Sequence, residues 1–280
     1  MRVLAPGPLT TVQDLGRPGY GHLGVPPSGA LDPDALRVAN RLVGNPETAA
    51  GLETTFGGLA VVLDAPRYLA LAGAPAPLTV DGRPAPLYAP FHAPAGARVA
   101  LGTPSAGIRS YVAVGGGIAV PPVLGSRSAD LLAGLGPAAL SVGDRLPVGE
   151  PSGPPSAVDV APVWPPGDGT LRLYPGPRDD WFTDEALDLL TSRPYRVTTH
   201  SNRIGVRLSG PALTRRRTDE LPSEGLVTGA VQVPANGQPV VFLADHPTTG
   251  GYPVIGVIDS RDLAIAAQAR PGAQLAFRLA

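Results

Sequence analysis

The sequence predicts a mainly β protein built from short strands, with few helices. Segments rich in Val, Leu and Ile recur along the chain, and turn residues bound each of them. The 36 Gly and 35 Pro are spread between these segments instead of forming polar low-complexity tracts. Such spacing is typical of a β barrel or sandwich. Strands are expected at 59–63, 68–72, 99–102, 111–114 and 240–243.

The strongest helix signal covers residues 33–43. Asp32 stands at the N-cap position, Pro33 at the first helical position, and Gly44 follows the last apolar residue. Shorter helices are expected at 184–190 and 261–269. Asn236-Gly237 predicts a hairpin with a type I′ turn, because both central residues of that turn need positive φ.

A Pro-rich, nearly aperiodic stretch at 151–170 divides the chain into similar parts. We therefore expect an N-terminal β domain at 1–150, a linker at 151–170 and a C-terminal β domain at 171–280. The similarity of LAPGP at 4–8 to LYPGP at 173–177 suggests that the two domains are duplicates.

Composition excludes several classes of function. A formal net charge of -1 gives no basic excess for nucleic acid, and no apolar run is long enough for a membrane span. The N-terminus lacks the pattern of a signal peptide, so we expect a cytoplasmic protein. The chain has no cysteine, and all 22 basic residues are arginine. This excludes thiol chemistry, a P-loop lysine, a Schiff base and a biotin attached to this chain.

A glycine-rich loop at 12–32 is the first candidate site. Its glycines allow close backbone approach, and its polar side chains supply donors and acceptors. An irregular loop capped by Ser28 and Asp32 would explain the same residues. The candidate binding residues are Gln13, Asp14, Arg17, Tyr20 and Ser28.

Residues 201–225 form the second candidate. Arg203 and Arg207 flank Gly205 at strand spacing, which would place both guanidinium groups on one face as donors for a carboxylate or phosphate. Surface ion pairing with Glu220 or Glu224 is the alternative explanation. The run Arg215–Arg217 is interpreted as a solvated turn.

The third candidate is ADHPTTGGYPVIG at 244–256, which interrupts a strand pattern with polar residues. Gly250-Gly251 would turn successive N–H groups into an anion-binding nest, with hydroxyl groups from Thr248 and Thr249. Asp245 would act as a base or face a metal; the alternative is a simple β connection. Further candidate binding residues are Glu224, Gln232 and Tyr252.

No metal site is expected, because the histidines at 22, 92, 200 and 246 lack ligand spacing. A serine triad of Ser28, His246 and Asp14 is disfavoured, because Ser28 lacks the G-x-S-x-G elbow.

Several stretches together resemble the family of 5-oxoprolinase C subunits, also called the biotin-dependent carboxyltransferase or allophanate hydrolase subunit 2 family, which includes KipA. They occur in order along essentially the whole chain. They are the segment 12–53, which begins VQDLGRPGYGHLGVPPSGALD and ends NPETAAGLE, GSRSADLL at 125–132, SNRIGVRLSGP at 201–211, the segment 221–256 and QARPG at 268–272. The resemblance implies two cyclophilin-like β-barrel domains.

The resemblance also implies an ATP-dependent amide hydrolase. Together with the 5-oxoprolinase B subunit (KipI-like) and the corresponding A subunit, such a chain opens 5-oxoproline to L-glutamate, with ATP and Mg²⁺ as co-substrate. Arg203 and the Thr248–Gly251 turn would then hold phosphate oxygens, and the expected catalytic residues are Asp245, Arg203 and Thr249.

Two other functions stay open for the family. One is a carboxyltransferase that moves a carboxyl group from carboxybiotin on a separate carrier to a small amide such as urea. The other is a KipA-like regulator that binds a KipI-like partner without catalysis. The sequence has His246-Pro247 where the family pattern has Arg and Gln, so the role of His246 is open.

Overall fold

The computed structural model describes residues 1–157, 160–162 and 167–280, and it divides into two compact units. The first consists of Met1–Arg17 with Ser28–Pro165, and the second of Pro18–Pro27 with Pro166–Ala280. Residues 18–27 thus belong with the second unit although they lie inside the range 1–150. Of the expected linker, residues 158, 159 and 163–166 lie outside the described residues. The boundaries proposed from the sequence stay a prediction.

The first unit contains two five-stranded sheets in which every strand pair is antiparallel. The strands are β1 (Arg2–Pro6), β2 (Leu9–Gln13), β3 (Gly51–Thr55), β4 (Leu59–Val62), β5 (Arg67–Gly73), β6 (Leu78–Val80), β7 (Arg83–Pro84), β8 (Phe91–Ala93), β9 (Arg98–Leu101) and β10 (Arg109–Val114). Their orders are β1-β4-β9-β6-β7 and β2-β3-β10-β5-β8. Apolar side chains from both sheets form one buried core cluster, which includes Val61 and Val99 of one sheet and Leu52 and Leu69 of the other.

Helix α1 (Pro33–Leu42) packs on β5 and β10 of the second of these sheets. The Asp32 side chain accepts a hydrogen bond from the Ala35 amide at 3.1 Å, which confirms the expected N-cap. Such a cap contributes about 1 kcal/mol. Gly44 follows with φ of +76°, a conformation that glycine adopts without strain. The helix buries one apolar face, which includes Leu36, Ala39 and Leu42.

The second unit is a closed seven-stranded barrel with a separate two-stranded ribbon. Its strands are β11 (Thr170–Pro175), β12 (Tyr195–Val197), β13 (Gly205–Ser209), β14 (Glu224–Gly225), β15 (Ala230–Gln232), β16 (Val240–Phe242), β17 (Thr249–Gly250), β18 (Val254–Ile258) and β19 (Gln274–Leu279). The barrel order is β11-β18-β15-β16-β13-β12-β19, and the parallel pair β11 and β19 closes it. Strands β14 and β17 form the ribbon.

The two shorter helices are α2 (Asp184–Ser192), capped by Thr183, and α3 (Leu263–Gln268) after a 3-10 turn at Ser260–Asp262. Strands β15 and β16 pair as the expected hairpin. The type I′ turn is wrong, because Gly237 has positive φ but Asn236 does not. The reason is the length of the connection: residues 233–239 join the strands, and the Gly237 amide bonds the Pro234 carbonyl at 3.0 Å.

The mainly β fold class with a few short helices is therefore confirmed. All five strand segments expected from the sequence lie on β4, β5, β9, β10 and β16. Among the described residues, no helix has both the length and the apolar character needed to span a membrane.

Candidate functional site

Asp14 organises a buried polar network in the first unit. It directly follows β2, and its carboxylate accepts a hydrogen bond from the Gly16 amide at 2.8 Å. Three further donors come from one distant loop: the Ser126 hydroxyl, the Arg127 amide and the Ser128 hydroxyl, each at 2.6 Å. Asp14 therefore fixes loop 126–128 against the end of β2. Hydrogen bonds to a charged acceptor are stronger than neutral ones, so the Asp14 carboxylate holds loop 126–128 strongly.

Arg17 lies beside this network and is 2% exposed. Its Nε donates to the Val123 carbonyl at 3.3 Å, and its Nη2 donates to the Ser128 carbonyl. Its Nη1 is buried and has no hydrogen-bond partner among the described residues. Both groups that the guanidinium contacts are neutral carbonyls, so these contacts orient the side chain without neutralising its charge.

Gln13 and Ser28 both contact Ala129, the residue that follows loop 126–128. The Gln13 Nε2 and the Ser28 hydroxyl each donate to the Ala129 carbonyl at 3.0 Å. Gln13 Oε1 is buried without a hydrogen-bond partner in the described chain. Ser28 has φ of +53°, a conformation that costs a non-glycine residue about 1–3 kcal/mol. The structure thus brings together four of the five candidates from 12–32.

Tyr20 is the fifth, and it belongs to the second unit with residues 18–27. Its carbonyl accepts hydrogen bonds from the Leu23 amide at 2.9 Å and the Val25 amide at 3.3 Å around a short 3-10 turn. The binding role of these five residues stays a prediction.

In the second unit, Arg203 and Asp245 form a buried two-pronged ion pair. Arg203 Nε lies 2.9 Å from Asp245 Oδ2, and Nη2 lies 3.0 Å from Oδ1. The side chains are 2% and 0% exposed. The Asp245 amide also donates to the Arg203 carbonyl at 3.2 Å, so backbone and side chains join the same two residues.

The expectation that Arg203 and Arg207 share one strand face is wrong. Arg203 is buried, whereas Arg207 is exposed on β13, which begins at Gly205. Arg203 precedes the strand in a turn where Asn202 Oδ1 accepts a hydrogen bond from the Ile204 amide at 2.9 Å. Alternation of side chains therefore does not extend to residue 203.

Among the described residues, Glu224 forms its ion pair with Arg178 and not with Arg203 or Arg207. Its carboxylate binds Arg178, with Nε to Oε1 at 2.9 Å. The hydrogen bond from Arg178 lowers the pKa of Glu224. No local pattern in the sequence indicates this partner, because Arg178 lies 46 residues away.

The expected nest at Gly250-Gly251 is not formed. Neither glycine has positive φ, and Thr249–Gly250 pairs with β14 as strand β17. A nest needs one residue in the left-handed region, whereas strand pairing extends the chain. A Cβ on Gly250 would lie 2.7 Å from Gln232 Nε2 and 2.9 Å from Leu226 Cδ1. A side chain at position 250 would therefore have to displace the ends of the Gln232 and Leu226 side chains.

Gln232 and Tyr252 lie together beside this strand, because Gln232 Nε2 donates to the Tyr252 carbonyl at 2.9 Å. The Arg215 guanidinium lies 5.6 Å from the centre of the Tyr252 ring, within cation–π range, and also donates to the Val233 carbonyl. Burial lowers the pKa of Arg215. The solvated-turn interpretation is therefore wrong for Arg215, although Arg216 and Arg217 are exposed.

His246 is 3% exposed, and its ring lies 6.1 Å from that of Phe242. Nδ1 lies 2.7 Å from the Pro247 carbonyl. A carbonyl only accepts hydrogen bonds, so Nδ1 carries the hydrogen and Nε2 is left as an acceptor. Burial lowers the pKa of His246, which keeps the ring neutral at pH 7.

No group of three or more metal-binding side chains occurs among the residues that the structure describes. The roles of Asp245, Arg203 and Thr249 as catalytic residues, and of Thr248, Gly250, Gly251 and the other candidates as binding residues, stay predictions.

Each of the two β units carries a buried polar cluster at its loops. The family model for the carboxyltransferase domain, subdomain A and B, matches residues 23–279, so the chain belongs to that family. It is 40% identical to the C subunit of 5-oxoprolinase from Escherichia coli strain K12, over 99% of this chain and 90% of that protein. This confirms the resemblance noted in the sequence.

Other relatives include one of similar length and several longer chains. The chain is 32% identical to the 5-oxoprolinase C subunit of Haemophilus influenzae, over 95% of this chain and 87% of that protein. It is 33% identical to urea amidolyase of Lachancea kluyveri, of which it covers 16%. The crystal structure of TTHA0988 superposes with a TM-score of 0.89 at 38% identity, over 99% of this chain and 56% of that one. The crystal structure of the K. lactis urea amidolyase superposes with a TM-score of 0.90 at 29% identity, over 99% of this chain and 18% of that one.

Proposed function

We propose that this chain is the C subunit of an ATP-dependent 5-oxoprolinase, which acts with the A and B subunits to convert 5-oxoproline to L-glutamate. The observation that carries the proposal is the 40% identity to the E. coli 5-oxoprolinase C subunit, because it extends over 90% of that protein. The H. influenzae relative with the same name supports it. The assembly would work in the cytoplasm, with ATP and Mg²⁺ as co-substrate.

The reaction opens a five-membered lactam. The ring C–N bond breaks, the carbonyl carbon gains an oxygen from water to become a carboxylate, and the nitrogen leaves as the amino group of glutamate. Water and ATP hydrolysis supply the atoms and the driving force. This chain's part is to bind and orient the planar amide, for which the buried donors and acceptors of its loops are suited.

The nucleotide fits this chain less well. Among the described residues no cluster of side chains suits Mg²⁺, and residues 249–250 form a strand instead of a phosphate cradle. Two donors of the Arg203 guanidinium are directed at Asp245. The proposal therefore gives the amide substrate to this chain and the nucleotide to the assembly as a whole. It attaches no biotin here, because the chain has no lysine.

Reconstitution tests the proposal. The three subunits are purified separately, and glutamate formation from 5-oxoproline with ATP and Mg²⁺ is measured for each pair and for the three together. We expect glutamate only from the complete mixture, with co-elution of this chain and the B subunit on size-exclusion chromatography. Full activity of the A and B subunits without this chain, or no glutamate from all three, would refute the proposal.

A carboxyltransferase is the second candidate, favoured by the family model and by the urea amidolyase relatives. It would move the carboxyl group of carboxybiotin, held on a separate carrier, to the nitrogen of a small amide. Incubating this chain with a carboxybiotin carrier and urea distinguishes the two functions. Carboxylated urea would transfer the assignment to this candidate.

A further inference from the structure

Arg17 carries a buried positive charge. Its hydrogen bonds within the first unit reach carbonyl oxygens and no carboxylate. We propose that Arg17 binds the carboxylate of the substrate and thereby selects a lactam acid over neutral amides. This inference rests on the proposed function, since it assigns one group of that substrate to one side chain.

Burial of the Arg17 guanidinium costs free energy. A guanidinium that is 2% exposed has lost most of its contact with water, and two carbonyl oxygens return only part of that free energy. The nearest acidic residue in sequence, Asp14, directs its carboxylate at Gly16 and at loop 126–128. A bound anion would give the guanidinium the charged partner that its protein contacts lack.

The Arg17 guanidinium is held in a fixed orientation. Nε and Nη2 are held by carbonyls at two points of the loop, Val123 and Ser128, so the guanidinium plane is fixed. Ser128 is itself held by Asp14 through its hydroxyl at 2.6 Å. The remaining nitrogen, Nη1, is therefore presented in a defined direction with its hydrogens unused by the described residues. A preorganised donor loses little entropy on binding a ligand.

Gln13 supplies a complementary hydrogen-bond acceptor. Gln13 Nε2 donates to Thr11 Oγ1 and to the Ala129 carbonyl, both at 3.0 Å, which leaves Oε1 as the amide atom without a partner in the part of the chain that is described. Arg17 and Gln13 thus bond the carbonyls of consecutive residues, Ser128 and Ala129. One ring that carries a carboxylate and a lactam N–H would satisfy Nη1 and Oε1, and 5-oxoproline carries both. Urea and 2-pyrrolidinone offer N–H groups but no carboxylate.

A rival explanation is that Arg17 compensates the charge of Asp130. Asp130 is 2% exposed, its Oδ1 accepts hydrogen bonds from the Leu132 and Ala133 amides, and its Oδ2 has no hydrogen-bond partner in the described chain. In that case, removing the Asp130 charge would restore an Arg17 variant. The rival therefore has its own test, Asp130→Asn combined with Arg17→Gln.

The experiment uses the reconstituted three-subunit assembly with Arg17→Gln or Arg17→Lys. We measure kcat and KM for 5-oxoproline and the inhibition constant of 2-pyrrolidinone, which lacks the carboxylate. Loss of one charge-assisted hydrogen bond corresponds to an increase in KM of about 10- to 150-fold for Arg17→Gln, with a smaller increase for Arg17→Lys. The inhibition constant of 2-pyrrolidinone should stay within about 2-fold, because that ligand makes no contact with the charge.

Arg83→Gln is the control for the loss of an arginine charge. Arg83 lies on β7 of the same unit and is exposed, outside the network around Arg17. We expect its KM to match that of the unmodified chain. If Arg17→Gln does not fold or assemble, Arg17→Lys, which keeps the charge, decides with the same measurements.

The outcomes separate the two proposals. A wild-type assembly without glutamate formation refutes the proposed function and this inference with it. An active wild-type assembly whose KM for 5-oxoproline is unchanged by Arg17→Gln overturns this inference alone. So does an equal loss for 2-pyrrolidinone, or recovery of the variant by Asp130→Asn.

Discussion

Arg203 and Asp245 bind each other through two parallel hydrogen bonds of 2.9 and 3.0 Å while almost fully buried. Arg203 precedes β13 and Asp245 follows β16, and these strands are neighbours in the barrel. The pair therefore connects two loops at the same end of adjacent strands. Both carboxylate oxygens of Asp245 are directed at the Arg203 guanidinium, so the geometry favours a positioning role for Asp245.

The ion pair makes a prediction about stability. Asp245→Ala removes one partner and leaves the Arg203 charge buried, which should lower the free energy of unfolding by about 3–5 kcal/mol. Urea denaturation of the isolated chain measures this. The matched control is Asp184→Ala, because Asp184 pairs with Arg216 at 3.1 Å but its side chain is 89% exposed. An exposed pair contributes less than about 1 kcal/mol. Equal losses in the two variants would contradict the burial of Arg203 and Asp245.

His246 predicts a dependence of stability on pH. Burial lowers its pKa below the ordinary value of 6.5, so the unfolded chain takes up a proton at a higher pH than the folded chain. Unfolding is then favoured as pH falls below about 6.5, and the free energy of unfolding loses up to about 1.4 kcal/mol per pH unit. Above that value the residue contributes no pH dependence.

Denaturation curves between about pH 5 and pH 8 test this, since they span the ordinary titration range of histidine. His246→Gln should have a flatter dependence below about pH 6.5 than the unmodified chain. His92→Gln provides the control, because His92 is exposed on β8. Indistinguishable slopes for His246→Gln and the unmodified chain would show that the buried ring does not titrate in this way.

The sequence predicted the elements whose signals are local. Helix α1 was readable because Asp32, Pro33 and Gly44 mark its ends, and five strands because apolar runs between turns have strand length. The predicted type I′ turn was wrong, because the connection between β15 and β16 extends over residues 233–239 and not over Asn236-Gly237 alone. The placement of residues 18–27 with the second unit depends on contacts far along the chain, which no local pattern encodes.

The candidate site shows the same dependence on distant contacts. The polar loops were recognisable from residue types that neither strand nor helix needs, but their partners were not. Asp14 bonds residues 126–128, more than 100 positions away, and Arg203 bonds Asp245 across 42. Gly250-Gly251 suggested a nest because glycine permits positive φ, but pairing with β14 requires an extended chain. Glycine permits several conformations, and the neighbouring strand selects one.

Gly250 and Gly225 form a matched pair for testing that ribbon. Both lie in the two-stranded ribbon, and neither has positive φ. A Cβ at Gly225 meets no atom within 4 Å, whereas at Gly250 it lies 2.7 Å from Gln232 Nε2. Gly250→Ala should therefore displace Gln232 from the Tyr252 carbonyl and lower stability by about 1–3 kcal/mol. Gly225→Ala should be neutral or gain up to about 1 kcal/mol.

Hydrogen exchange localises the effect of these two variants. Amides of residues 248–252 should exchange faster in Gly250→Ala, because the ribbon and the Gln232 contact loosen together. In Gly225→Ala the same amides should keep their protection. Similar exchange in both variants would mean that the Gln232 contact does not hold the loop.

Asp14 supplies the last prediction, for the network that orients Arg17. Asp14→Asn keeps the shape of the side chain but removes its charge, and it places an amide NH₂ against one of the donors from Ser126, Arg127 and Ser128. The variant loses a charged hydrogen-bond acceptor and leaves one donor unsatisfied. Its free energy of unfolding should therefore be lower by about 2–4 kcal/mol. Asp34→Asn is the control, since the Asp34 side chain on α1 is 84% exposed and its substitution should cost under about 0.5 kcal/mol.

In the reconstituted assembly, Asp14→Asn should also raise the KM for 5-oxoproline while leaving the inhibition constant of 2-pyrrolidinone nearly unchanged, because it releases the loop that aims the Arg17 guanidinium. A stable Asp14→Asn variant with an unchanged KM would show that Arg17 is oriented by its two carbonyl contacts alone.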